Sequence, residues 1–341
     1  MGLPSRRERS GLVLADPIAC VLVLALAIAA IVLMADRARL LARIGEDLSH
    51  LRTIHGSTVS YAADFEDRAW QLSWRAWQVH WSPDDPAAIG FVPVATDAQS
   101  ALQQLTYIIR TRGERPEAPN FAGVNLWPYL SYSHLALQDY LGDALPTRLF
   151  VSAADRRRAW ADDPRGYDAG LYSPNLGVGG YNIRHPYGAS FRMGTCFFDN
   201  APVGSRVSPM STSSVILPTT PSGTISGRPL SDIAHPSQKA FLHDLVARHF
   251  GPQQVYHAFP EARLPVLMAD GSARVRSFAE ANPGADPNNP AGPAPSLTYT
   301  PLPIEPPATG PNAGPARPGP QWTRMGLLGR DFGGPEVYPP P

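Results

Sequence analysis

From Pro17 to Ala35 the chain carries no charge, and Asp16 and Asp36 bound the run. Nineteen residues at 1.5 Å each make a helix of about 28 Å, close to the thickness of a bilayer's hydrocarbon core. A secretory apolar core is shorter and ends at a small-x-small cleavage site, whereas Asp36-Arg37-Ala38-Arg39 follows directly here. The run therefore predicts a transmembrane helix. Beyond it Leu41, Ile44, Leu48 and Leu51 step by three and four residues, so one apolar stripe continues along a helix face past the membrane.

The next pattern is aromatic. Trp70, Trp74, Trp77 and Trp81 step by 4, 3 and 4, which places four of the seven tryptophans on one face of a predicted helix. That face is either a core-packing surface or an aromatic platform for a sugar. Ser82-Pro83-Asp84-Asp85-Pro86 ends it as a turn. A second helix starts at the Thr96-Asp97 cap, presents Ala101, Leu102, Leu105, Ile108 and Ile109 on one face, and stops at Gly113 and Pro116. A third, short one lies around LSYSHLALQDYLGD.

From Arg148 the pattern changes. RLFVSAAD, GGYNIRH, ASFRMGTCFF and SSVILPTT are short apolar, aromatic or β-branched runs between Gly, Pro, Asn and Ser, and they read as strands and loops. SQKAFLHDLVARH is open between a strand and a short helix. LPVLMADGSARVRSF reads as a hairpin turning at Asp270-Gly271, the dipeptide favoured where both central residues need positive φ. Past Phe278, 17 of the 38 prolines fall in the last 63 residues. Such a tail is expected to be extended or disordered, apart from an island, Trp322–Phe332, able to dock.

The fold class expected is thus α+β, with a long N-terminal transmembrane helix, a helical segment, a small antiparallel sheet and a disordered Pro-rich tail. The boundaries are a basic leader at 1–11, the transmembrane helix and its extension at 12–56, a helical part at 57–147, a β-rich part at 148–278 and the tail at 279–341.

Charge and composition narrow the function classes. A formal net charge of zero gives no basic face for nucleic acid. Cys20 lies within the apolar run and Cys196 far outside it, so neither a disulfide between them nor a thiolate zinc site is expected. Neither a GxSxG nucleophile elbow nor a phosphate-binding loop appears. The LGVGGYN stretch reads as a loop needing backbone freedom. His235, His243, His249 and His257 fall within 23 residues, with Asp244 and Asp270 nearby, but their spacings of 8, 6 and 8 match no metal-binding pattern. A metal site on His243, Asp244, His249 and His257 is the weaker alternative, and no cofactor is expected. Asp270 alone is too few oxygens for calcium.

The mouth of the apolar run carries a resemblance. RRERSG ends at Gly11, then Leu12-Val13-Leu14-Ala15-Asp16 leads into the span. This resembles the leader of type IV prepilins and type II secretion pseudopilins. In that family a basic leader ends in Gly, an apolar residue follows the cut, and an acid stands fifth in the mature chain. Leu12 replaces the usual Phe and Asp16 the usual Glu, and Pro17 follows. DLSHLRTIHGSTVSYAADF looks like the family's segment where the long helix leaves the membrane. VLMADGSARVRSF looks like the hairpin of processing-associated proteins labelled by a His-x9-Asp-Gly motif. The corresponding residues are His257, Asp270, Gly271 and Ser272, with 12 residues rather than 9 between His257 and Asp270.

The resemblance implies cleavage by a prepilin peptidase between Gly11 and Leu12 and methylation of the new amine. A carboxylate at the edge of hydrocarbon is costly unless paired. Asp16 would be the assembly residue, pairing with a neighbouring subunit's amine. The implied protein is non-enzymatic, a subunit of a pilus-like or secretion assembly of the cell envelope. It would sit as a single-pass protein in the inner membrane with its C-terminal domain outside the cytoplasm. Its partners would be like or related pilin-type subunits, the peptidase and membrane lipid, and not nucleic acid. A membrane-anchored metal-dependent enzyme and a glycan-binding module are the alternatives.

Overall fold

The structure, a computed structural model, describes residues 15–123, 128–142, 144–172, 180–199, 207–209, 216–218, 227–251, 254–286, 288–295, 317 and 319–339. The chain divides into two units, Met1–Arg43 and Ile44–Pro341.

The first unit contains the beginning of helix α1, Ala15–Asp64. Every residue from 18 to 39 is exposed, including Ile18, Leu22, Leu26, Ile31, Leu33 and Met34. The helix is long and apolar enough to cross a membrane.

The second unit is α+β. It begins with the remainder of α1, which runs on to Asp64 rather than ending near Gly56. Ile44, Leu51, Ile54, Tyr61 and Ala62 are buried and Leu48 is partly so. The expected stripe therefore packs from Ile44 onward, while Leu41 is exposed. The helix stops without glycine or proline. Glu66 and Asp67 both take positive φ, and the Asp67 amide donates back to the Ala62 carbonyl at 2.8 Å, the closing bond of a Schellman-type cap.

Helix α2, Asp97–Arg112, forms where expected. The Thr96 hydroxyl accepts from the Gln99 amide, and Ala101, Leu102, Leu105 and Ile109 are buried. The third helix is broken into α3, Pro128–Ser131, a 3-10 turn at Ser133–Leu137, and α4, Gln138–Leu141, which ends at the left-handed Gly142. Two short helices follow, α5, Arg157–Asp162, and α6, Pro164–Asp168.

The four-stranded antiparallel sheet has the order β1-β4-β7-β8, from β1 (Phe191–Met193), β4 (Ala240–Asp244), β7 (Arg263–Met268) and β8 (Ala273–Ser277). β2 (Val207–Pro209) pairs with β3 (Ile216–Pro218), and β5 (Val246–Ala247) pairs with β6 (Val255–Tyr256). The ambiguous SQKAFLHDLVARH is thus strand. RLFVSAAD forms no strand, and the described part of GGYNIRH, Gly180 to His185, lies in a 3-10 helix, Gly180–Tyr187.

β7 is buried on both faces. Leu267 joins the main core with Leu51, Ile54, Trp70 and Phe241. Leu264, Val266 and Met268 join a second cluster closed by Phe278 and Phe332. A register shift between Ala240 and Leu242 explains why Phe241 and Leu242 both reach the main core although they are neighbours on β4. β4 pairs with β7 only from Val266 to Met268, so Pro265, which has no N–H to contribute, is paired with Val275 of β8 alone. Phe332 belongs to the Pro-rich tail. The docking island Trp322–Phe332 is therefore part of the fold, with Trp322, Leu327 and Phe332 buried. Lys239 and Asp331, both buried, pair at 3.5 Å and fasten this segment to β4.

Candidate functional site

The processing residues Gly11 and Leu12 lie outside the described residues. Asp16 stands in the first turn of α1, and its side chain lies outside them too.

Farther along α1, Asp47 is fully buried. Its carboxylate accepts from the Ser152 hydroxyl at 2.6 Å and the Ala153 amide at 2.7 Å, and lies 2.7 Å from His249 Nε2. The preceding residue, Glu46, accepts from Arg158 at 2.5 Å. Beside this clamp lies a second buried carboxylate, Asp155. Burial alone would raise its pKa, but the guanidinium groups of Arg157 and Arg248 hold it well below the usual carboxylate range. Arg248 also bonds Asp244 at 2.9 Å, where burial prevails and the carboxyl is pushed up. These charges are partnered, which is the condition for burying them. Spacing along the sequence gave no sign of Asp47, since its partners are 105 and 202 residues away.

The hairpin of β7 and β8 meets α1 as well. The turn differs from the expected one. Gly271 alone takes positive φ (+84°), and its amide donates to the Met268 carbonyl, so Ala269 and Asp270 are the central pair and Gly271 forms the bulge after them. The Asp270 carboxylate accepts from the Ser272 amide at 2.9 Å. A Cβ on Gly271 would stand 2.5 Å from the His55 ring, so glycine is required by both backbone and space. Arg52 donates to the Ala273 carbonyl at 3.3 Å. Burial lowers the pKa of His55 and the nearby Asp270 opposes that shift. Gly271 against His55 and the Ala273 carbonyl with Arg52 thus fasten the sheet to the helix. His257 takes no part in that contact, because the histidine facing the turn is His55.

His257 instead packs on His243, with ring centroids 4.7 Å apart. Their Nδ1 atoms lie 3.0 and 3.2 Å from the carbonyl oxygens of Asp244 and Leu245. Burial lowers His243 to about 4 and His257 well below its ordinary value. The metal alternative comes apart accordingly. His243 and His257 adjoin each other, whereas His249 is taken by Asp47 and Asp244 by Arg248. Among the described residues, no three His, Cys, Asp or Glu side chains form a group able to hold a metal ion.

The tryptophan helix is overturned. Apart from a 3-10 turn at Pro86–Ala88, residues 69–96 form no helix. Backbone donors there are taken by distant acceptors. The Ser73 and Trp74 amides donate to Gln104 Oε1 of α2 at 2.6 and 3.0 Å, and the Ala76 amide to Asp97 at 3.0 Å. The Arg75 amide donates to His80 Nε2 and the Trp77 amide to the Val94 carbonyl, both at 2.9 Å. These bonds replace the i to i−4 bonds of a helix. The four rings no longer share one face, and only Trp74 and Trp81 remain in contact. Trp70 is core and donates to Thr58 at 2.9 Å. Trp74 stacks on His80 and touches Trp81, Phe91 and Tyr107, while Trp77 is 70% exposed with φ of +61°.

Around Trp74 a cleft of about 580 Å³ opens, walled by Tyr61, Phe65 and Tyr107 and lined by Gln71 and Arg75. Gln71 is 96% buried by its 4% exposure, yet neither atom of its amide has a hydrogen-bond partner. Compared with protein-family models, curated proteins and solved structures, the chain finds no match.

Proposed function

We propose that this chain is a pseudopilin-like, non-enzymatic subunit of a pilus-like or secretion assembly. One feature of α1 carries the reading. The same unbroken helix is wholly exposed and apolar from Ile18 to Met34 and becomes a core element of an α+β unit from Ile44 onward. An apolar stretch this long in water is unfavourable at roughly 25 cal/mol for each Å² left exposed, so lipid or other apolar helices must cover it. A plain anchor needs only lipid. The acid at Asp16, five residues after Gly11, favours like helices as well, since pairing with a neighbour's amine offsets the cost of a carboxylate in hydrocarbon.

In this reading the chain spans the inner membrane with Ile44–Pro341 outside the cytoplasm. The prepilin peptidase cuts after Gly11, and Asp16 sets the register between packed subunits. The Asp47 clamp and the Gly271–His55 contact fix the far part of α1 in its own unit, so that force or registration carried by the helix reaches the sheet.

The N-terminal peptide of the protein from native membranes, read by mass spectrometry, tests this. A peptide beginning at Leu12 with a methylated amine is expected. An intact start at Met1 or Gly2 would reduce the segment to a plain anchor and end the assembly reading.

A further inference from the structure

We infer that the cleft around Trp74 is a binding site for an acidic sugar, a uronic acid unit of a polysaccharide. The inference stands apart from the assembly reading and rests on residues of the second unit alone.

Its starting point is Gln71. A buried amide with both its N–H₂ and its carbonyl oxygen unbonded is rare in folded proteins, where such groups almost always find partners. Gln71 lines the cleft, so a ligand seated there can supply the partners its buried amide lacks. A group that offers one acceptor and two donors side by side matches a pair of neighbouring hydroxyls, each of which both donates and accepts.

Charge makes the ligand acidic. Three arginines line the cleft. Arg112 is paired with Asp139 at 2.7 Å, and Arg68 with Glu66 at 3.4 Å. Among the described residues Arg75 makes no ion pair, and its Nη1 is buried without a hydrogen bond. An Arg75 without an ion pair and a Gln71 amide without a partner line the same cleft, which calls for a ligand carrying both a carboxylate and hydroxyls, since a carboxylate takes a guanidinium in a charge-assisted bond. The walls supply the rest. Tyr61 and Phe65 stack 4.3 Å apart, and Phe65 is 46% exposed, so an apolar ring edge is available to the C–H face of a sugar. The backbone of Gln71 hydrogen-bonds the Tyr61 hydroxyl, which ties the wall to the amide.

The test titrates the full chain in detergent, following tryptophan fluorescence. The probes are trigalacturonate, a glucuronate-containing tetrasaccharide and the neutral maltotriose. Saturable binding of at least one acidic probe is expected, with maltotriose at least ~10-fold weaker, the loss of one bond to a charged group. Arg75→Ala and Gln71→Leu should each weaken the acidic probe by ~10-fold or more. Gln71→Leu should leave the melting temperature unchanged or raise it, because it removes an unsatisfied polar group. No saturable binding of either acidic probe overturns the inference, as does equal binding of maltotriose or full binding by Arg75→Ala. A Gln71→Leu protein that melts several degrees lower would make Gln71 a structural residue and overturn its role.

Discussion

The β7–β8 hairpin and the segment from Trp70 to Trp81 are both rich in large apolar side chains, yet they are held by opposite means. The hairpin's partners are near in sequence. Leu264 to Leu267 pair with Arg276 to Ala273 across a turn of three residues. The tryptophan segment has the period of a helix but gives its amides to Gln104 and Asp97, about 20 to 30 residues away. Periodicity reports which face is apolar. It does not report which acceptor a backbone amide prefers, and a side chain carried by another element can outcompete the helix ladder.

Acid should strain the sheet side of this comparison most. His243 sits on β4 and His257 beside it, and both are neutral and buried; His134 and His185 are likewise lowered to about 3 by burial. A histidine whose folded pKa lies below its unfolded value leaves stability unaffected above pH ~6.5. As the pH falls below that, the unfolded chain binds a proton that the native protein refuses, and stability declines until the folded pKa is reached. His243 alone should cost roughly 3 kcal/mol by pH 4. Asp244 and Asp331, whose carboxyls burial raises, act in the opposite direction below their folded values. Urea unfolding at pH 7, 6 and 5 should show a falling midpoint, with His243→Gln flattening the slope. A midpoint independent of pH over that range would contradict the neutral pair.

Gly271→Ala should be the next largest effect. It adds a left-handed alanine and presses a methyl group on the His55 ring, together about 2–4 kcal/mol. Pairing it with His55→Ala should recover the steric share and leave about 1–2 kcal/mol for the backbone. If the double variant is as unstable as the sum of the singles, the contact with α1 is not what demands glycine.

On the tryptophan side, Gln104→Leu removes the acceptor of two amides and should cost ~2 kcal/mol. It should also loosen residues 73–77 in hydrogen exchange while the hairpin stays protected. Uniform exchange across both regions would erase the distinction. Trp77→Gly should be the smallest change, within ~0.5 kcal/mol, because relief of the left-handed backbone is offset by the flexibility glycine adds to the unfolded chain. On a helical packing face the same change would cost about 3–5 kcal/mol.

What was readable in the sequence divides along the same line. The apolar run of α1, the capped helix α2, the hairpin and the docking of Trp322–Phe332 were legible because their signals are local, in run length, cap residues, alternation and an aromatic island among prolines. The end of α1 was not, because Glu66 and Asp67 adopt positive φ without glycine and the cap is completed by the Ser231 amide on Asp67, 164 residues away. The candidate cleft was half legible. Trp74 was marked as part of an aromatic face, but Gln71 and Arg75 have no spacing that singles them out, and only the path of the chain leaves their polar atoms without partners.

By itself the sequence determined the apolar helix, the α+β class and the place where the β7–β8 hairpin reverses, because hydrophobic period and turn chemistry act over a few residues. Tertiary structure alone decided that Asp47 is buried against Ser152 and His249, that Gly271 meets His55, that His243 and His257 stand together away from Asp270, and that four evenly spaced tryptophans share no face. Those outcomes depend on which distant groups compete for one hydrogen bond or one cavity, and that competition is settled only when the elements pack.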